Sequence, residues 1–295
     1  MVGACLLPSY NHSTDIRGNS VPPEGKRVER MTIQTGQQRE GSTDRKPVPT
    51  GPVAGTTQRM PRIRRIIAQR MTESLTSTAQ LTAVQEADVT ELGLLRDRVK
   101  VAFRQREGAA LTYLSFFCRA LVRAAQDIPE FNASIDGDGK TVTYHGAVHL
   151  GVAVDTPAGL MVPVLRNAEA LSLAEIARGI ADVALRVRAG TASPEELSGS
   201  TLTISNIGGA GSLSDTPIIN YPEVAILGTG AVVRRPRVLV RADGIEEIVV
   251  RSVCALPITY DHRLIDGAAA GRFLTAVRGH LSVEAFEGEL AAYLH

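Results

Sequence analysis

The chain has 295 residues, of which 44% are hydrophobic, and its formal net charge is +1. This length can bury one substantial core and carry an appendage, while the near-neutral charge argues against a nucleic-acid-binding surface. No uninterrupted apolar run is long enough to cross a bilayer, so no membrane span is predicted. The 3 cysteines are scattered without metal-ligand spacing, which fits a reducing cytoplasm and predicts no metal site.

Residues 1–60 differ in composition from the rest of the chain. They are rich in Gly, Pro, Ser, Thr, Gln and Arg, and they show neither helical nor strand periodicity. Such a segment cannot bury enough apolar area to offset the entropy lost on ordering. We therefore predict a disordered N-terminal tail or linker over residues 1–60 and one folded domain over residues 61–295.

The first half of this domain shows three helical patterns, one early strand and a hairpin. Ile63, Ile67 and Met71 recur on one helical face, and Gly108 is typical of a helix C-terminus. The predicted elements are a helix beginning at Pro61, a strand over 81–89, a helix over 92–108, a helix from Thr112 to just before Pro129, and a hairpin over 133–144 with its turn at 136–139.

The second half combines further strands with two helices. Ser172 and Glu175 form a capping-box pattern at a helix N-terminus. The predicted elements are β-rich runs over 149–155 and 160–165, a helix from Ser172 to Gly190, strands over 202–206, 224–233 and 248–259, and a helix that begins after Asp266 and ends near Leu281. This irregular mixture predicts one α/β domain with a mixed sheet.

A histidine and a carboxylate lie four residues apart after the last predicted strand, at His262 and Asp266. Histidine titrates near neutrality, so it can take a proton from a thiol or a hydroxyl and return it. A strand-end histidine without chemistry, followed by an aspartate that only caps the next helix, fits the same spacing. The spacing alone does not separate these interpretations.

The whole string from Tyr260 to Gly267, Tyr-Asp-His-Arg-Leu-Ile-Asp-Gly, resembles the active-site signature of the dihydrolipoamide acyltransferases, the core components of 2-oxo acid dehydrogenase complexes. Other segments resemble that family in the same order: 62–71, 86–92, 151–164, 203–208 and 216–228. The resemblance covers nearly all of residues 61–295. It implies a chloramphenicol acetyltransferase-like α/β fold, a mixed-sheet sandwich with packed helices, that assembles as a trimer.

The resemblance implies transfer of an acyl group, acetyl or branched-chain first, between dihydrolipoamide and coenzyme A. His262 is then the general base that takes the proton of the coenzyme A thiol. Ser205 matches the hydroxyl that donates a hydrogen bond to the oxyanion. Without the resemblance, its position favours a strand-end serine that bonds its own backbone. Asp266 is expected to hold the local geometry by pairing with an arginine.

Coenzyme A binding carries over to a second set of residues. Arg96 matches a position that contacts the nucleotide phosphates. The sequence does not distinguish this role from that of an ordinary solvent-exposed arginine on a helix. The positions that match the family's coenzyme channel are Arg96, Thr112, Asp155, Asn206 and Gly230.

The family also implies partners. Its catalytic site is built between neighbouring subunits of a homotrimer, and trimers commonly join into a cubic core. Its full-length members carry a lipoyl domain and a subunit-binding domain, for which residues 1–60 are too few and too polar. No lysine stands in the Asp-Lys-Ala context that receives lipoate, so the lipoyl group is expected in trans, on a lipoyl-bearing protein beside the 2-oxo acid dehydrogenase components.

Two other functions remain open from the sequence. One is an acyl-coenzyme A-dependent O-acyltransferase of the same fold, and the other is a catalytically idle scaffold subunit.

Overall fold

The computed structural model describes residues 54–157 and 159–294. The disordered tail predicted over residues 1–60 lies largely outside this range. The chain divides into two units, Met1–Thr57 and Gln58–His295, and all the elements below belong to the second unit. Among the described residues, no helix combines the length and the apolar character needed to span a bilayer.

Helices and strands alternate irregularly along this unit, as predicted. The α-helices are α1 (Arg62–Ser77), α2 (Thr90–Glu107), α3 (Tyr113–Asp127), α4 (Leu173–Ala189), α5 (Gly267–Gly279) and α6 (Glu284–Leu290). The strands are β1 (Gln80–Asp88), β2 (Ala133–Ile135), β3 (Val142–Tyr144), β4 (Leu150–Ala153), β5 (Val164–Leu165), β6 (Leu202–Asn206), β7 (Ala225–Thr229), β8 (Val233–Val240) and β9 (Glu246–Asp261).

The main sheet is mixed, which confirms the predicted α/β class. Its strand order is β1-β9-β7-β6-β4-β5, with β8 paired to β9 beside this path. The neighbours β4, β6 and β7 run parallel, whereas β9 runs antiparallel to β1, β7 and β8. The short strands β2 and β3 form a separate hairpin. The carboxyl ends of β4, β6 and β7 therefore meet at one end of the sheet, and the carboxyl end of β9 lies at the other.

The core lies between the sheet and a layer of helices centred on α3. This helix packs against α4 and α5, and its Phe116 is completely buried together with Leu202 and Ile204 of β6. Phe131, just after α3, stacks on Phe273 of α5 with 3.8 Å between ring centroids. Aromatic rings of this size dominate core energetics, so this stack contributes to the packing of α5 within the helix layer.

The local signals for helix ends are confirmed. The side chain of Ser172 accepts a hydrogen bond from the backbone N–H of Glu175, and the Glu175 carboxylate accepts one from the backbone of Ser172. Helix α2 ends at Gly108, which has a left-handed φ of 69°, and α4 ends in the same way at Gly190. Glycine adopts this conformation without the steric cost that a Cβ imposes.

The prediction of one strand over residues 224–233 is wrong. The chain forms two strands there, β7 and β8, which separate at Gly230. The backbone of Gly230 approaches the carbonyl oxygen of Leu213 so closely that no Cβ fits between them. The Gly230 N–H still donates to Ala255 of β9, but the next N–H, that of Ala231, donates to the carbonyl oxygen of Ser212 outside the sheet. The predicted run over 160–165 is also shorter than expected, since only β5 is regular strand, and α6 was not predicted.

Candidate active site

Four of the predicted site residues lie at the carboxyl end of the parallel strands. Ala153 of β4 pairs with Ser205 of β6, and Ser205 pairs with Gly228 of β7. Since β4 ends at its paired residue, and β6 and β7 each end with the residue after theirs, the sheet brings the following residues to one edge: Asp155, Ser205, Asn206 and Gly230.

Ser205 is half-buried at this edge, and strand alternation places it on the same face as Thr203. The next residue, Asn206, is exposed, and its side-chain oxygen accepts a hydrogen bond from the backbone N–H of Gly208 at 3.1 Å. Gly208 and Gly230 pack backbone to backbone, with no room for a Cβ on Gly208. Gly230 therefore serves first to let the ends of β6 and β7 approach each other.

His262 lies at the opposite end of the sheet, directly after β9. Its backbone N–H donates to the carbonyl oxygen of Ala79 at 2.8 Å, which fixes the turn against the start of β1. Its side chain is exposed, and its ring centroid lies 6.0 Å from that of Tyr260. The imidazole is therefore presented to the surface of the protomer from a backbone position that is firmly held.

Asp266 begins helix α5. Its Oδ1 accepts a hydrogen bond from the backbone N–H of Ala269 at 2.7 Å, so the residue is an N-cap. The expected ion pair with an arginine is not found, because no ion pair among the described residues includes Asp266. Helix α5 therefore begins four residues after His262, directly after the turn that carries the histidine.

The ion pair of this turn belongs to Asp261 and Arg263, which the sequence interpretation did not pair. The Asp261 side chain is 1% exposed, and its Oδ2 accepts a hydrogen bond from Nη2 of Arg263 at 2.6 Å. Burial alone raises the pKa of the Asp261 carboxyl, but hydrogen bonds from Arg263 and from backbone N–H groups outweigh it and hold the pKa below its usual value. The two residues flank His262. Opposite charges two residues apart were the sequence signal that could have predicted this ion pair.

Ser205 and His262 cannot meet within one protomer. Ser205 is level with Gly228, and the pairing of Leu227 with Ile258 places Gly228 level with Pro257, five residues before His262. At about 3.3 Å per residue and about 4.8 Å per strand spacing, the two residues lie roughly 19 Å apart. A proton transfer and an oxyanion contact on one reacting bond require separations of about 3 Å.

Arg96 and Thr112 form a third group at the connection between α2 and α3. The Arg96 Nε donates to the carbonyl oxygen of Leu111 at 2.8 Å, and its guanidinium lies 5.3 Å from the centroid of the Tyr113 ring. Thr112 is exposed as the N-cap residue of α3. A terminal guanidinium nitrogen of Arg96 also donates to the Asp97 carboxylate at 3.0 Å, and the arginine side chain is partly exposed.

A cleft of about 980 Å³ opens between α1, the turn after β4 and the loop before β7. Its lining includes Met71, His149 and Tyr221, and it reaches Glu223, which is 2% exposed. Burial raises the pKa of Glu223 to about 7, although Ser200, Thr203 and Asn220 all donate to its Oε1. None of the predicted site residues lines this cleft.

The family described as 2-oxoacid dehydrogenases acyltransferase (catalytic domain) matches residues 53–287. A dihydrolipoyllysine-residue acetyltransferase component of the pyruvate dehydrogenase complex from Mycobacterium tuberculosis is 56% identical over 80% of this chain and 43% of its own length. The corresponding component from Corynebacterium glutamicum is 50% identical over 80% of this chain and 35% of its own length. A lipoamide acyltransferase component of the branched-chain alpha-keto acid dehydrogenase complex from Pseudomonas putida is 46% identical over 74% of this chain and 50% of its own length.

Solved structures give the same result. A probable dihydrolipoamide acetyltransferase from Listeria monocytogenes has a TM-score of 0.72 at 33% identity and covers 78% of this chain and 95% of its own. The cubic core of a pyruvate dehydrogenase multienzyme complex has a TM-score of 0.72 at 34% identity, and the match covers 80% of this chain and 97% of that one. A dihydrolipoamide acetyltransferase from Azotobacter vinelandii has a TM-score of 0.72 at 33% identity, covering 80% and 97%. In that enzyme a serine, a histidine and an asparagine four residues after the histidine were investigated for their roles in catalysis.

The chain therefore belongs to the 2-oxoacid dehydrogenase acyltransferase family, with its match in the catalytic domain. It spans less than half the length of the acetyltransferase components from Mycobacterium and Corynebacterium.

Proposed function

We propose that this chain transfers an acyl group between dihydrolipoamide and coenzyme A, with His262 as the general base. A free thiol has a pKa of about 8.5, so only a minority of coenzyme A is thiolate at neutral pH. An imidazole within hydrogen-bond reach removes this limit by taking the thiol proton, and it can later return a proton to the departing sulfur of dihydrolipoamide. The exposed imidazole on a fixed turn is the observation that carries the proposal.

The oxyanion of the tetrahedral intermediate requires a donor, and we assign that role to the Ser205 hydroxyl of a neighbouring subunit. The separation of roughly 19 Å within one protomer excludes a site formed by a single copy of these two residues. A homotrimer in which the His262 turn of one subunit meets the Ser205 edge of the next satisfies the chemistry, and trimers of this kind are proposed to join into a cubic core.

Exposed apolar side chains on the β8–β9 hairpin support such an assembly. Val238 pairs with Ile248 across the hairpin, and these two side chains are 59% and 78% exposed. Val240 and Val250 are also more than half exposed. Contiguous exposed apolar surface is unusual on a monomer and typical of a subunit contact.

Coenzyme A and a lipoyl group are the proposed co-substrates. Arg96, Thr112, Asp155 and Asn206 are assigned to coenzyme A, and the lipoyl group is assigned to a lipoyl-bearing protein that acts with 2-oxo acid dehydrogenase components. Acetyl is the preferred acyl group, because the relatives at 56% and 50% identity are acetyltransferase components. Branched-chain acyl ranks second, since the relative of that class is 46% identical.

The test is transfer from acetyl-, isobutyryl- or succinyl-coenzyme A to free dihydrolipoamide by the purified protein. The acetyl donor is expected to give the highest kcat/KM, and His262→Ala is expected to lose about 10²–10⁴-fold in kcat. His280→Ala is the matched control, because His280 is engaged with Asp127 on the surface and should leave kcat unchanged. Failure of all three donors, or full activity of His262→Ala, would overturn the proposal. Transfer to a hydroxyl acceptor in place of dihydrolipoamide would instead support O-acyl transfer.

A further inference from the structure

The two residues that flank His262 bind each other around it. The Arg263 Nε lies 3.0 Å from both carboxylate oxygens of Asp261, and one of its terminal nitrogens (NH2) lies 2.6 Å from Oδ2. The Asp261 Oδ1 also accepts from the backbone N–H of Arg263 at 3.1 Å and from that of Ala79 at 3.2 Å. A single buried carboxylate thus joins the side chain after the histidine, the backbone after the histidine and the start of β1.

The backbone of this turn is fixed as firmly as the side chains. The N–H of Asp261 donates to the carbonyl oxygen of Val224 at 2.8 Å, and the Asp261 carbonyl oxygen accepts from the N–H groups of Leu264 and Ile265. The His262 N–H donates to Ala79 in turn. The backbone groups and the two charged side chains around His262 are therefore engaged in holding the turn.

The ion pair is strong by the standards of such contacts. Hydrogen bonds between a guanidinium and a carboxylate are roughly twice as strong as neutral ones, and the planar fork adds geometric specificity. The Asp261 side chain is buried, whereas that of Arg263 is 38% exposed. Removing the arginine therefore leaves a buried carboxylate without its counter-charge, which is costly. The pair therefore resists rearrangement when a neighbouring subunit or a substrate approaches the turn.

We propose that Asp261 and Arg263 are positioning residues that hold the His262 imidazole at the subunit contact in its reactive placement. This inference rests on the proposed function and extends it to residues that act through His262. A misplacement of about 1 Å can cost on the order of 10²-fold in rate, so the pair contributes to kcat and has little effect on coenzyme A binding. Its two charges also cancel beside the imidazole, which keeps the general base from facing one unpaired charge.

The variants Asp261→Asn, Arg263→Lys and Arg263→Gln test this role. We expect Arg263→Gln to lower kcat by about 10–100-fold with KM for coenzyme A within about twofold of wild type. Arg263→Lys keeps the charge but loses the fork, so a smaller loss is expected. Asp261→Asn is nearly isosteric and serves where Arg263→Gln does not fold.

The pH profile of kcat separates positioning from general stability. The other titratable groups recorded around this turn are Tyr260, Asp266 and, on the loop before β7, Tyr221. Arg263→Gln leaves a lone carboxylate, which favours a protonated imidazole, so the acid limb should move to higher pH. Asp261→Asn leaves a lone cation, so the limb should move to lower pH. A purely structural role predicts no opposite movement.

Arg123→Gln is the matched control, because Arg123 pairs with Glu289 at 2.6 Å in a half-buried contact between helices. If Arg263→Gln loses no more kcat than this control at equal thermal stability, or if the acid limbs do not move apart, the inference is overturned. Crystal structures of wild type and Arg263→Gln provide a readout without catalysis: one imidazole conformer in wild type and displaced or multiple conformers in the variant. An inactive wild type would overturn the proposed function while this structural comparison still tested the pair.

Discussion

Ser205 and His262 lie at opposite ends of the same sheet, Ser205 at the carboxyl end of β6 and His262 after the carboxyl end of the antiparallel strand β9. The strand order fixes this separation, because β7 lies between β6 and β9. In a head-to-tail ring, opposite ends of identical subunits come into contact. The separation between the two proposed catalytic residues is thus what a site shared between subunits requires.

Mixed trimers provide a test of this arrangement. Ser205→Ala and His262→Ala are each expected to be nearly inactive alone. When they are co-expressed in equal amounts, each mixed trimer holds one site with an intact serine and an intact histidine, so about a quarter of the wild-type specific activity should return. The measurement is acetyl transfer to dihydrolipoamide at fixed trimer concentration.

A second mixture shows whether the sites are shared. Wild type co-expressed with the double variant Ser205→Ala/His262→Ala should keep about a quarter of wild-type activity for shared sites and about half for sites within one subunit. No recovery in the first mixture together with half activity in the second would exclude the shared site.

Arg96 is expected to bind a phosphate of coenzyme A through its partly exposed guanidinium. Arg96→Gln should raise KM for coenzyme A by about tenfold, since hydrogen bonds to charged groups contribute about 1.5–3 kcal/mol, while kcat stays near the wild-type value. With pantetheine, which lacks the nucleotide phosphates, the variant and the wild type should have equal KM values.

Arg98, exposed on the same helix, supplies the control for Arg96. Arg98→Gln should leave KM unchanged for both thiols. An equal rise in KM for coenzyme A in both variants would indicate a general effect of positive charge, and an unchanged KM in Arg96→Gln would remove this residue from the coenzyme site.

Elements that depend on local sequence were predictable, and those that depend on tertiary approach were not. The start of α4 follows from Ser172 and Glu175, which bond each other within one turn. The break between β7 and β8 lies where the N–H of Ala231 leaves β9 and donates to the carbonyl oxygen of Ser212, a residue outside both strands. An apolar run over 224–233 contains no signal for that contact.

The candidate site shows the same division. The family resemblance predicted His262 and Ser205 as site residues, but only the strand order shows that they lie at opposite ends of the sheet. Asp266 was expected to pair with an arginine, whereas it caps α5. The arginine of this turn, Arg263, pairs with Asp261 instead.

The N-cap role of Asp266 can be separated from any direct role in catalysis. Asparagine and aspartate cap helices about equally well, whereas alanine costs about 1 kcal/mol. Asp266→Asn should therefore keep the wild-type free energy of unfolding, and Asp266→Ala should lose about 1 kcal/mol in urea denaturation. Because the amide preserves the cap that fixes the start of α5, we expect near wild-type kcat for Asp266→Asn. A loss of kcat without a loss of stability in that variant would show that the carboxylate charge itself is needed.

Glu223 makes the stability of the fold depend on pH. Among the described residues, its Oε2 is buried without a hydrogen-bond partner, and burial raises its pKa from 4.5 to about 7. A raised carboxyl pKa means that the folded state holds its proton more tightly than the unfolded state does. The contribution of Glu223 to stability is therefore greatest below pH 4.5. It falls as pH rises, until the Glu223 carboxyl of the folded protein also ionises near pH 7.

Glu223→Gln removes this dependence, because the amide keeps the shape and one acceptor for Ser200, Thr203 and Asn220 but cannot ionise. Between pH 5 and pH 8 the wild type should lose roughly 2–3 kcal/mol of unfolding free energy relative to the variant, at about 1.4 kcal/mol per pKa unit. Urea denaturation at fixed protomer concentration measures the difference, since assembly also contributes to apparent stability. Glu169→Gln is the control for loss of a carboxylate, because the Glu169 carboxylate accepts a hydrogen bond from the backbone N–H of Val148. Parallel pH curves for the wild type and Glu223→Gln would show that the Glu223 carboxyl ionises in the folded protein as readily as in the unfolded chain.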